Sequence, residues 1–252
     1  MKIKIESKTK KGRFISGHYL KESQAERIMI LMSGFDGGMN SPLIINSTLF
    51  FNKLKNNTFR FNFCDKNKGL RLSDLTFSNY ILELKNIIDY FYKKHEKISL
   101  IGHSFGAVLA IMFLNKYKSY SRKIDLILWE PTMLPWKRKW MEEDYIFDSK
   151  INLYHNKYQK EIINKKLYEE CVKTDTRKLI SNINLPVCII VAKNSADMDA
   201  RKYFLKLKNK KMSQLVIVDN TDHSFSDKKS QKFLFNSTQN FLNLMNEKKI
   251  DC

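Results

Sequence analysis

Short, nearly unbroken apolar runs recur along this chain, and stretches of helical periodicity separate them. RIMILMSGF (27–35), the first half of KISLIGHSFG (97–106), KIDLILWEP (123–131) and LPVCIIVAKN (185–194) have this form, and FRFNFCD (59–65) reads as a further strand. A short run that is apolar at odd and even positions alike suits a strand covered on both faces, as in a parallel sheet. Residues 77–94 instead carry Phe77, Ile81, Leu84, Ile87, Ile88 and Phe91 at helical spacing. Helices are also expected at 42–55, where Pro42 suits a first turn, and near 199–208 and 228–247. KIKIE (2–6) and 13–21 read as opening strands, and SQLVIVDNTDHSF (213–225) as a last strand running into a polar loop. Such alternation implies right-handed β-α-β units and the α/β class, a mostly parallel central sheet with helices on both faces. The segment 132–182 breaks the rhythm. It is rich in Trp, Tyr, Lys and Glu, with helical pieces expected near 138–147 and 156–180. It reads as a helical cap insertion at the rim of a single domain, 1–252.

A chain of 252 residues with 43% hydrophobic and 28% charged residues can bury a sizeable core without disulfides. The formal net charge of +19 raises nucleic acid or an anionic membrane as a partner. Only eight of the 45 basic residues are arginine, however, and 22 residues are asparagine. Lysine, asparagine and isoleucine enriched together reflect nucleotide bias, and the lysines are scattered as on a solvated surface. No nucleic-acid partner is expected. Cys64, Cys171, Cys188 and Cys252 show neither C-x-x-C pairing nor metal-ligand spacing, and read as reduced thiols of a cytoplasmic protein. The N-terminus lacks the apolar run of a signal peptide, and no segment has the length of an integral membrane span.

Glycine is scarce, eight in all, yet five fall in two places: Gly34, Gly37 and Gly38 after one strand, and Gly102 and Gly106 around a serine. Gly102-His103-Ser104-Phe105-Gly106 is a G-x-S-x-G sequence between an apolar strand and an apolar helix. The turn there must be tight enough to strain the serine backbone, and small flanking residues avoid clashes with the neighbouring strand and helix. Ser104 Oγ then stands at the strand's carboxyl edge beside a helix N-terminus, which favours developing negative charge.

On these residues the chain resembles the α/β-hydrolase-fold superfamily, over roughly residues 13–247. RFNFCDKNKG and the following helix are similar to serine esterases and acyl hydrolases of the cinnamoyl-esterase and serine-aminopeptidase type. The resemblance implies Ser104 as nucleophile and His223, in Asp222-His223-Ser224-Phe225 after the last strand, as general base. It implies Asp197 as the orienting carboxylate, in the loop after the strand 186–192. Asp199, which could instead cap the next helix, and Glu130, at the end of the preceding strand, are the alternatives. Phe35 and Phe105 would supply the oxyanion-hole amides. His103 is expected to point into the fold.

These features imply a serine hydrolase of a small-molecule ester or thioester, needing no metal or organic cofactor. The cap's aromatic residues, Trp136, Trp140, Tyr145, Phe147, Tyr154 and Tyr158 among them, could line an apolar acyl pocket or pack the cap onto the core. An acyltransferase, or a thioesterase serving an acidic acyl carrier, would use the same triad. A non-catalytic binding module on the same fold is the rival of another class. Ser33 in place of a more usual histidine, Ala192 in place of a glycine, and the late position of Asp197 favour it slightly.

Overall fold

The computed structural model describes residues 1–35, 38–64, 71–135, 143–157, 162–193, 195 and 197–247, without the side chains of Leu72, Asp197 and Met198. Eight strands form the central sheet: β1 (Lys2–Glu6), β2 (Phe14–Leu20), β3 (Arg27–Met32), β4 (Asn57–Asn62), β5 (Lys97–His103), β6 (Ile124–Trp129), β10 (Val187–Ala192) and β11 (Gln214–Val218). Their spatial order is β1-β2-β4-β3-β5-β6-β10-β11. β2 pairs antiparallel with both neighbours, and every other pairing is parallel. The expected mostly parallel sheet is therefore present, with β2 as its single reversed strand.

Period-two alternation sorts each central strand between two cores. Ile28, Ile30 and Met32 of β3, Leu126 and Leu128 of β6, and Ile189 and Val191 of β10 share one apolar cluster. This core also holds α2 (Phe77–Tyr92), α3 (Phe105–Lys116) and α6 (Asp197–Lys206) through Leu84, Ile111 and Tyr203. Met29, Leu31, Ile127, Trp129, Cys188 and Ile190 face the other core, with α1 (Pro42–Lys53) and α7 (Lys228–Glu247). The sequence of α1, PLIINSTLFFNK, is a poor intrinsic helix former. Its β-branched and small polar residues each cost up to about 0.7 kcal/mol relative to alanine. Burial of Leu43, Ile44 and Phe51 contributes roughly 1.5–3 kcal/mol per side chain and outweighs that cost. α3 has no polar face to speak of. Nine of its residues, from Phe105 to Leu114, are buried because the sheet lies on one side of it and helices on the other.

The insertion carries helix where it was expected in its second half, and beside it strands that were not expected. Tyr145–Asp148 (β7), Leu153–Asn156 (β8) and Ile162–Asn164 (β9) form a three-stranded antiparallel sheet. Glu143 and Asp144 are helical, and α4 (Lys165–Lys173) and α5 (Thr176–Ile180) lie within the helical stretch expected near 156–180. Aromatic residues scattered through a short polar stretch satisfy either period, and cross-strand pairing of Tyr145 with Asn156 and of Tyr154 with Ile163 decides for strand. Tyr154 then stacks on Tyr168 of α4 at 3.9 Å, with the rings 3° from parallel. Leu134, Tyr145, Ile163, Leu167 and Ile180 join the same apolar cluster as α2 and α3, so these residues of the insertion pack into the main core. Asn164 fastens the insertion to the sheet domain. Its Oδ1 accepts the Leu167 amide at 2.8 Å while its Nδ2 donates to the carbonyls of Ser73 and Leu75. Trp136, Trp140 and Tyr158 lie outside the described residues. Among the described residues no helix is long and apolar enough to cross a membrane.

Candidate active site

The polypeptide leaves β5 at His103 and enters α3 at Phe105 with one residue between them. That residue, Ser104, takes φ 53° and ψ −116°, a backbone conformation that L-residues rarely adopt. The turn is held from several sides. Ser104 N donates to the carbonyl of Trp129 on the adjacent strand at 2.9 Å, and Ala107 N donates to Ser104 O. A Cβ on Gly102 would lie 2.5 Å from the carbonyl of Gly106, and a Cβ on Gly106 would lie 2.6 Å from the carbonyl oxygen of Ser33. Both glycines are thus required by direct contact with neighbouring backbone. Gly34 approaches from β3, where an added Cβ would sit 3.2 Å from Ser104 Cβ. Phe35 packs edge-on against Phe105 at 4.8 Å.

The loop after β11 brings in the imidazole. Phe225, fully buried, anchors it in the second core. Asp222 Oδ1 accepts the amides of Ser224 and Ser226, each at 3.0 Å. The Ser226 side chain, and then these amides, hold the Asp222 carboxyl below its ordinary value. His223 Nδ1 lies 2.9 Å from Glu130 Oε2. Glu130 is fully buried directly after β6, where an unpaired carboxylate would be costly. Three donors satisfy it: the Ala192 amide on Oε1, and the Ser195 hydroxyl (2.7 Å) and His223 ring on Oε2. An ionised carboxylate only accepts, so the His223 proton belongs on Nδ1, and in the neutral ring Nε2 is the acceptor. An imidazole in that tautomer can take a proton from a hydroxyl.

Ser104, Glu130 and Ser195 follow the neighbouring parallel strands β5, β6 and β10, and His223 follows β11. All four converge at the carboxyl edge of the sheet, where open α/β sheets bind ligands. His103 departs from expectation: its Nε2 donates to the carbonyl of His223 at 2.8 Å, and the two rings lie 5.0 Å apart. Among the described residues no hydrogen bond joins Ser104 Oγ to His223, and the serine hydroxyl pairs with Thr132 Oγ1 at 3.0 Å.

Of the three candidate acids, Glu130 is the one whose described side chain meets the histidine. Asp197 opens α6, and its side chain lies outside the described residues. Asp199 lies 3.5 Å from Lys202 on its own helix. Sequence reading missed Ser195 and Thr132, since a lone loop serine or threonine carries no signal of its own. Glu130 had one: a carboxylate closing a mostly apolar strand next to the nucleophile strand. Among the described residues, no group of three or more His, Cys, Asp or Glu side chains could hold a metal ion.

This sheet order, with the elbow after β5 and the histidine loop after the last strand, defines the α/β-hydrolase fold. Est1E from Butyrivibrio proteoclasticus, also solved with ferulic acid bound, superposes with a TM-score of 0.75 over 97% of this chain and 99% of its own, at 14% identity. Alpha/beta hydrolase domain-containing protein 10 from mouse gives the same score, coverage and identity. A putative hydrolase from Agrobacterium vitis gives 0.72 at 18% identity, over 96% of this chain and 97% of that one. At these identities the likeness is one of fold. The lecithin:cholesterol acyltransferase family profile matches residues 70–153, which include the elbow and Glu130. No curated protein matches the chain in sequence.

Proposed function

We propose that the chain is a serine hydrolase that cleaves a carboxylic ester or thioester through an acyl-enzyme. The observation that carries this reading is the His223 ring held 2.9 Å from buried Glu130, beside a strained serine turn. Nε2 of His223 takes the Ser104 proton as Oγ attacks the acyl carbonyl, and the amides of Phe35 and Phe105 receive the oxyanion. The imidazolium, stabilised by Glu130, protonates the leaving alcohol or thiol. Water then repeats the sequence and releases the acid. The Ser104–His223 hydrogen bond forms on substrate binding, since such contacts are often loose in a free enzyme. The insertion, anchored beside Thr132, borders the acyl pocket of this single domain. The free thiols of Cys64, Cys171 and Cys188 support a reducing, cytoplasmic setting.

Ser104→Ala is expected to abolish turnover of p-nitrophenyl acyl esters with an unchanged circular dichroism spectrum. A fluorophosphonate should label the wild-type chain at Ser104. Full activity in the alanine variant would refute the nucleophile. A second reading, acyl transfer to an alcohol, is favoured by the acyltransferase profile match over the elbow. Product analysis with acyl-thioester donors, with and without alcohol acceptors, separates the two. The basic surface would suit an acidic carrier as donor.

A further inference from the structure

Thr132 Oγ1 lies 3.0 Å from Ser104 Oγ, and the backbone around it is anchored. Its carbonyl accepts from the Tyr203 hydroxyl at 2.7 Å. Tyr203 O–H is in turn hydrogen-bonded to Thr176 Oγ1, which reaches both the amide (2.9 Å) and the carbonyl (3.1 Å) of Leu134. Tyr203, Thr176 and Leu134 are all fully buried. Thr132 N also donates to Ser104 O at 3.4 Å. A second hydroxyl is therefore held against the nucleophile by a buried polar chain, and the serine, histidine and glutamate scheme gives it no task.

Resting on the serine-hydrolase reading, we propose that Thr132 is a further catalytic residue, whose hydroxyl donates to Ser104 Oγ and assists its departure from the acyl-enzyme. The Ser104 proton is required by His223, so Thr132 is the donor of the pair. In deacylation, water gives a proton to His223 Nε2 and its oxygen bonds to the acyl carbon. The C–Oγ bond then breaks, its electron pair stays on Oγ, and Oγ takes the proton back from Nε2. The Thr132 hydroxyl keeps its own proton throughout. An ester oxygen is a weak acceptor and a departing alkoxide-like oxygen a strong one, so this hydrogen bond strengthens from the acyl-enzyme to the transition state. In acylation Oγ begins as a hydroxyl, already a fair acceptor, so the gain there is smaller.

The test is stopped-flow turnover of p-nitrophenyl acetate, whose good leaving group makes deacylation the slow step. Thr132→Val is expected to lower kcat roughly tenfold, with kcat/KM within about threefold and a burst approaching one equivalent of nitrophenol. Thr132→Ser should restore wild-type kcat. Equal loss in kcat and kcat/KM, or no loss in either, would overturn the proposal. Should the valine variant not fold, Thr132→Ala is judged by the same split. Fluorophosphonate labelling keeps the two readings apart. An unlabelled Ser104 in the wild type removes the nucleophile and this inference with it, whereas a labelled Ser104 with unaltered Thr132→Val kinetics removes this inference alone.

Discussion

At the scale of single residues, Glu130 is the side chain on which the proposed chemistry turns. It fixes the His223 tautomer because every one of its neighbours is a donor. A glutamine in its place must turn an N–H₂ toward either the Ala192 amide or the imidazole. Facing the imidazole, it moves the ring proton to Nε2 and removes the base. Glu130→Gln is therefore expected to lower kcat by about 10³–10⁴-fold, with folding retained and KM little changed. Asp197→Asn should stay within about threefold of wild type. The reverse pattern in the same esterase assay would move the acid to Asp197. Sequence alone placed Asp197 first and Glu130 among the alternatives for a physical reason. Both follow strands that end at the same sheet edge, and which one reaches the ring depends on loop paths that spacing does not encode.

At the scale of elements, the turn from β5 to α3 is a joint with no slack. Gly106→Ala would drive a methyl group into the carbonyls of Ser33 and Met32 on β3, and neither can retreat without shifting that strand. A destabilisation of about 1–3 kcal/mol is expected in urea melts, together with loss of activity, because Gly34 and Phe35 follow the same strand. A stable, active Gly106→Ala variant would mean that the elbow tolerates a wider turn. Elements like this one were legible because local and tertiary demands agree: strands buried on both faces read as unbroken apolar runs, and the serine turn needs glycine at two fixed places. The helical stripe of α2 was equally plain, and its six expected apolar positions are all buried. The β7–β9 meander was not legible. Its strands span three or four residues, and their partners lie in one another rather than in any periodicity.

Across the whole molecule, two sets of groups set the response to acid. Burial, and then the charge of Lys94, hold His95 below its ordinary value of 6.5, and burial followed by Arg60 does the same for His18. A histidine with a lowered folded pKa contributes full stability above 6.5, and that contribution is lost as pH falls from there through the folded value. Carboxylates act later. Arg177 holds Asp175 below 3.8, Ser226 holds Asp222 there, and Ser230 holds Asp227 there, so their contribution is intact above that value and fades beneath it. Melting temperature should thus fall in two stages, the first beginning near pH 6.5 and the second below about pH 4. General repulsion on a chain of net charge +19 would produce a slope of the same sign. Salt distinguishes them, because 0.5 M salt screens repulsion between exposed charges but leaves the desolvation of a buried ring largely intact. In high salt the decline between pH 6.5 and 5 should persist in the wild type, become shallower in His95→Gln, and flatten when His18 is replaced as well. A decline that vanishes with salt in the wild type would assign the first stage to surface charge and not to His95.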